Sequence, residues 1–198
     1  MTEITDERSA DDPVERAGAL FNLTTRLLAA ELHEEGLATA ASALALLDTV
    51  PAVPAWVRGM LLAQKAQALY ALERAAESVV EGEKALAELS DWRPEDPDDG
   101  TSALAALLNN LSYGLAATGR LDEALDKAQA SVDIRRVQAS GNAGVRPDLA
   151  RSLNTLSRHH HQAGHLDQAL KAARESLHVR RQQPRTVRTP TSPNSRPR

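Results

Sequence analysis

The sequence predicts an all-α protein built as a stack of about four helical hairpins, and three observations carry that prediction. The chain repeats itself: Gly119-Arg-Leu-Asp-Glu-Ala-Leu-Asp-Lys-Ala recurs 45 residues later as Gly164-His-Leu-Asp-Gln-Ala-Leu-Lys-Ala-Ala. Apolar residues fall at helical spacing on both sides of each echo. Aromatic residues make up only 3% of the chain against 42% hydrophobic residues, so the core must be built from Ala and Leu. Ala has the best helix propensity and lets helix axes approach closely. Self-similarity at a period of about 20 to 50 residues identifies a solenoid, in which each unit buries its apolar face only against its neighbours.

The hairpins are expected at residues 14–50, 55–90, 101–138 and 147–183. In the first, Leu20, Leu23 and Leu27 supply one helix and the segment 34–41 opens the next. The second is fainter, with Leu62, Ala66 and Leu69 on one helix and Val79, Gly82 and Leu86 on the other. In the third, Leu104, Leu108, Leu111 and Leu115 lie at i, i+4, i+7 and i+11, one stripe of a helix. Gly119 then ends that helix where positive φ is cheap. Leu121, Leu125, Ala128 and Val132 repeat the spacing, with Asp122 and Glu123 opening the helix and Arg135 and Arg136 closing it, as the helix dipole favours. The fourth copies the plan with Leu149, Leu153, Leu156 and His160, then Gly164, then Leu166, Leu170, Ala173 and Leu177.

The equivalent turn positions are Glu31, Glu73, Gly119 and Gly164, spaced 42, 46 and 45 residues apart. Glu at the first two, and Gly36 and Gly82 inside helices, depart from the regular plan. Pro and Gly in the connectors 48–54, 90–101 and 138–148 end helices and begin new ones. On the last helix Lys171, Arg174, His178 and Arg181 face away from Leu170, Ala173 and Leu177, which predicts a self-capped stack and a monomer or weak homodimer.

Charge is unevenly spread within a net of −4. Residues 1–13 form an acidic start, expected to be flexible. No acidic residue follows Glu175, and residues 184–198 are rich in Pro, Thr, Ser and Arg, a composition that predicts disorder. The chain has no cysteine, which excludes disulfides and thiolate chemistry. No run reaches the roughly 18 apolar residues of a membrane span, and the acidic first residues do not read as a secretory leader. A cytoplasmic protein with no membrane partner is expected, and Ala-rich, Arg-over-Lys usage suggests a GC-rich bacterial genome.

Few residues invite catalytic chemistry. His161 and His165 have the i, i+4 spacing of two imidazole ligands, and a metal-dependent activity through the cluster His159, His160, His161 and His165 is one alternative. Against it, His160 takes the stripe position of Leu115, as a packed core residue would, and Gly164 interrupts the face that the others would share. His33-Glu34-Glu35 reads as a solvated first helical turn. The chain carries no Gly-rich phosphate loop and no nucleophile motif, so no enzyme and no cofactor is expected. The basic end lacks the interleaved aromatics of a nucleic-acid surface, which disfavours a nucleic-acid partner.

The third and fourth units resemble tetratricopeptide repeats. Large apolar residues stand at the family's fourth and seventh positions (Leu108, Leu111, Leu153, Leu156) and a small residue at the eighth (Ser112, Ser157). Gly stands at the fifteenth (Gly119, Gly164), Ala at the twentieth (Ala124, Ala169) and a small residue at the twenty-seventh (Ser131, Ser176). The period exceeds the family's usual ~34 residues, and in this it is similar to the long repeats of kinesin light chains and of bacterial arrays accompanying signalling ATPases. The resemblance implies a right-handed superhelical stack and a non-catalytic module that binds a protein or peptide in a concave groove, as adaptor or regulatory subunit. A detached sensor array working with a signalling ATPase or a transcriptional regulator is the second implied reading.

The family's groove positions fall on Ala106, Asn109, Tyr113 and Ala116, and on Arg151, Asn154, Arg158 and His161. In the first half they fall on Met60, Ala63, Gln67 and Tyr70, and on Gly18, Phe21, Thr25 and Leu28. The expected site is therefore Asn109, Tyr113, Arg151, Asn154, Arg158, His161, Gln67 and Tyr70. Its Asn amides suit an extended peptide backbone and its Arg forks suit a partner that is acidic or ends in a free carboxylate.

Overall fold

A computed structural model of the chain describes residues 13–51, 53–89 and 97–182. Those residues form eight helices and no strand: α1 Pro13–Ala29, α2 His33–Leu47, α3 Ala55–Ala71, α4 Ala75–Leu89, α5 Pro97–Ala117, α6 Leu121–Gly141, α7 Arg146–Gln162 and α8 Leu166–Arg181. A short 3-10 turn, Ala143–Val145, joins α6 to α7. The acidic start, except Pro13, and the basic segment 184–198 lie outside the described residues.

One turn is built four times. Glu31, Glu73, Gly119 and Gly164 all adopt positive φ, at 61°, 61°, 81° and 76°. Across each, the amide of the next residue reaches back to a carbonyl of the first helix: Leu32 to Leu27 (2.9 Å), Arg74 to Leu69 (2.9 Å), Arg120 to Leu115 (2.9 Å) and His165 to His160 (2.8 Å). This left-handed C-terminal cap satisfies carbonyls that the helix end leaves bare. The two Glu residues hold the same register as the two Gly residues. The helical glycines have a different cause, close approach: a Cβ at Gly36 would stand 2.8 Å from Leu28 Cδ2, and one at Gly82 2.9 Å from Leu111 Cδ1.

Consecutive helices pack antiparallel along the whole series. The first helices of the hairpins, α1, α3, α5 and α7, also approach one another in turn, whereas no two second helices, α2, α4, α6 or α8, do so at the backbone among the described residues. The first helices therefore line the inner side of the stack and the second helices its outer side. Three apolar clusters run through it. Ala17, Ala43, Leu47, Leu61, Leu89 and Leu107 tie the first two hairpins to α5. Val79, Leu111, Leu115 and Ala124 continue the core into the third hairpin, and Ala128, Val132, Leu149, Leu153 and Leu156 join it to the fourth.

Three expectations are corrected. The connector placed at residues 138–148 is shorter, because α6 continues to Gly141, and α5 already starts at Pro97. Arg135 and Arg136 thus lie inside α6, and Arg135 is buried. Arg135 donates to the Ser102 carbonyl (3.0 Å) and hydroxyl (3.1 Å), and Gln138 donates to Thr101 Oγ1 (2.8 Å), so polar bonds stitch the extra turns of α6 to those of α5. Secondly, the core histidine is His159 (0% exposed), while His160 is only partly buried. Leu115 is covered by the next hairpin, but His160 has no such neighbour among the described residues and stands 5.7 Å from the His165 ring. Thirdly, Leu166, Leu170 and Leu177 are 63%, 49% and 49% exposed, so α8 does not cap itself. Its buried face is Ala169, Ala172, Ser176 and Val179, turned toward α7.

Candidate functional site

The inner face is richest where α3, α5 and α7 meet, and Tyr113 is its centre. Its hydroxyl hydrogen-bonds Thr155 Oγ1 at 2.6 Å, which anchors the ring of α5 to α7. Arg158, one turn further along α7, lies with its guanidinium carbon 4.2 Å from the centre of the Tyr113 ring. That stacking orients the cation while leaving its donors in water. On the other side Tyr70, at the end of α3, stands 5.6 Å from Tyr113 in a tilted pair. The result is a Tyr–Tyr–Arg strip crossing three hairpins.

Beneath the strip His159 packs its ring edge-on to Tyr113, centroids 5.9 Å apart. Its Nε2 lies 3.1 Å from Ser112 Oγ and its Nδ1 3.1 Å from Gln162 Oε1. Burial pushes the His159 imidazole below its ordinary pKa, with the Gln162 bond opposing and nearby Arg158 assisting. Burial thus disfavours the charged imidazolium in the floor. Ser112 donates onward to the Asn109 carbonyl at 2.7 Å.

The structure divides the expected site residues. Tyr70, Tyr113, Asn154 and Arg158 share the inner side, with Asn154 and Arg158 exposed and Tyr113 half-buried. Arg151 and His161 are exposed on the same helix. Arg151, however, is already engaged with Asp148 at 2.7 Å, so the acidic side chain beside it competes with any incoming carboxylate. Asn109 is 5% exposed, and its Oδ1 is buried with no hydrogen-bond partner among the described residues. The two asparagines are therefore not a matched surface pair. Gln67 is exposed, but Gln64 is the residue that bridges the first two hairpins, donating to Thr25 Oγ1 at 2.7 Å. Leu28 is buried against Gly36.

Thr155 was missed by the sequence reading, and His159 entered it only as a member of the histidine cluster, not as part of the groove. Both sit on the side of α7 facing α5, each one position after an expected groove residue, Asn154 and Arg158. Of the four histidines of α7 and the following turn, His160 and His165 lie side by side, but among the described residues no three His, Cys, Asp or Glu side chains come together to hold a metal ion. No described helix is long and apolar enough to cross a membrane.

Residues 103–182 match the family model of the tetratricopeptide repeat. Among solved structures the chain is similar to a Podosopora anserina protein with nearly identical TPR-like repeats, named for kinesin light chains. The TM-score is 0.68 and the identity 19%, over 89% of this chain and 80% of that one. It is also similar to BtubC (BKLC) from P. vanneervenii, with a TM-score of 0.73 and 16% identity over 96% and 75% of the two chains. MamA matches with a TM-score of 0.58 and 12% identity over 83% and 78%. Likenesses at these identities are likenesses of fold. No protein of curated function matches the chain.

Proposed function

We propose, for a chain whose residues 103–182 match the family model of the tetratricopeptide repeat, the role of a non-catalytic module that holds a protein or peptide on its inner face as adaptor or regulatory subunit. Repeats of this kind serve protein–protein interaction, and the finer reading rests on one observation: Arg158 held over the ring of Tyr113, beside the half-exposed ring of Tyr70. An aromatic pair supplies rigid apolar area, and a stacked guanidinium supplies a planar donor fork whose ordering entropy is already spent. Asn154, four residues before Arg158 and exposed on the same helix, offers donors and an acceptor to an extended backbone. The ligand this strip suits is an extended segment with an acidic side chain or terminal carboxylate and an apolar residue beside it.

Affinity capture from the native cell, followed by titration of the captured segment, tests the reading. Arg158→Glu should weaken binding about ten- to hundredfold, the cost of one charge-assisted hydrogen bond, with the helical circular dichroism unchanged. Asn154→Ala should cost about 1 kcal/mol. Parental affinity in both variants would move the contact surface away from this strip.

A further inference from the structure

The same interface recurs inside the chain, and at its last occurrence nothing among the described residues covers one side. Where the third hairpin meets the fourth, α6 presents Leu125, Ala128 and Val132, and α7 covers them with Leu149, Leu153 and Leu156. The rim of that contact is ionic. Arg136 makes a two-pronged pair with Glu175 of α8 at 2.9 Å, and Asp148 at the start of α7 stands 3.9 Å from Arg135. Shifted by one repeat, these α6 positions become Leu170, Ala173, Leu177, Arg180 and Arg181 of α8. Leu170 and Leu177 are half-exposed where Val132 is 0% exposed, and Arg174, Arg180 and Arg181 have no ion-pair partner among the described residues.

The opposite end of the stack carries the complementary register. The residues of α1 equivalent to Asp148, Leu149, Leu153 and Leu156 are Glu15, Arg16, Leu20 and Leu23, so the acid and two of the three leucines are kept. Leu156 is 4% exposed inside the stack, whereas Leu23 is 46% exposed. An acid therefore opens α1 where an acid opens α7, and a leucine waits at each end. Polarity along the sequence agrees: Glu3, Asp6, Glu7, Asp11, Asp12 and Glu15 cluster at the start, and only cations are found after Glu175.

We propose that α8 of one molecule is covered by α1 of a second copy, head to tail, in the geometry that α6 and α7 already adopt within the chain. Leu23 of the second copy fills the place of Leu156 against Leu170 and Leu177, and Glu15 fills that of Asp148 beside Arg180. Such an interface joins two different patches, so each copy keeps one free end and association continues past the dimer unless the superhelix closes on itself. The contact leaves the inner face clear, so its success or failure is independent of groove binding.

Sedimentation equilibrium of the whole chain over a concentration series tests this. The weight-average mass is expected to rise from the 21.3 kDa monomer beyond that of a dimer, and the rise should weaken with salt. Leu177→Glu and Leu23→Glu, both at exposed positions, should each abolish the rise while keeping the parental circular dichroism. Mixed in equal amounts, the two variants should restore association but stop at twice the monomer mass, because each retains one intact end. A parental chain monomeric throughout would overturn the proposal and leave the α8 face to a different protein. Loss of association in Leu177→Glu alone, with Leu23→Glu unaffected, would overturn it in favour of a symmetric contact between two α8 faces.

Discussion

His159 is the residue whose chemistry depends most on its place. It is fully buried between Tyr113, Ser112 and Gln162, and burial lowers its pKa below the ordinary 6.5. In the unfolded chain the imidazole takes up a proton as pH falls through about 6.5, while the folded protein resists doing so. Between the two pKa values the unfolded state binds more protons, so stability is full above 6.5 and declines with acidification. Thermal melts across that range should show the decline, and His159→Gln should flatten it. His160, also depressed by burial, should keep a residual slope of the same sign. Glu73 illustrates a different cost. A non-glycine residue at φ 61° bears about 1–2 kcal/mol of steric strain, partly offset because glycine loses more entropy on folding. Glu73→Gly should therefore raise the unfolding free energy by about 0.5–1 kcal/mol in denaturant titration.

Within a hairpin, the two helices are joined by one recurrent side-chain bond. Ser131 of α6 donates to the Ala105 carbonyl of α5 at 2.8 Å, and Ser176 of α8 to the Ala150 carbonyl of α7 at 2.7 Å. The first two hairpins place Ala43 and Ala85 in the same slot, both fully buried. Size is the shared requirement there, and the hydroxyl adds a bond where it is present. Ser176→Ala should cost about 1 kcal/mol, the net worth of a buried hydrogen bond. Ser131→Ala should cost at least as much, since Ser152 also loses its partner at 3.0 Å. Chemical denaturation of both variants checks the pair. The extended α5 and α6 depend on a different device, the buried Arg135 and Gln138 against Thr101 and Ser102.

At the scale of the molecule, a solenoid's stability is a sum over units and their interfaces, and the end units have fewer of the latter. Among the described residues the backbones of α4 and α6 each pack against the first helices of their own and of the following hairpin, while that of α8 packs only against α7. Hydrogen exchange should accordingly release the amides of α8 before those of α6 and α4. Uniform exchange across the three helices would mean that the α8 face is covered in solution, as association through α1 of another copy would bring about at high concentration.

Hairpin succession and turn register were legible in the sequence, because each follows from local rules: helical spacing, a left-handed turn residue and repetition of both; the identity of the inner helices came from the resemblance to tetratricopeptide repeats. Even the two irregular turns at Glu31 and Glu73 were located by counting along the repeat. The same rules did not distinguish positions whose burial depends on what lies one hairpin further on. Leu125 and Leu170, or Leu115 and His160, are equivalent in the local pattern, yet the first of each pair is covered by a following hairpin and the second is not. Likewise the sequence placed Asn109 and Arg158 on one face, and only the packing of α5 against α7 sank the first and stacked the second on Tyr113. Periodicity along one helix determines which side chains share a face. Which of them meets water is decided by the neighbouring helix, and that is a property of the tertiary structure.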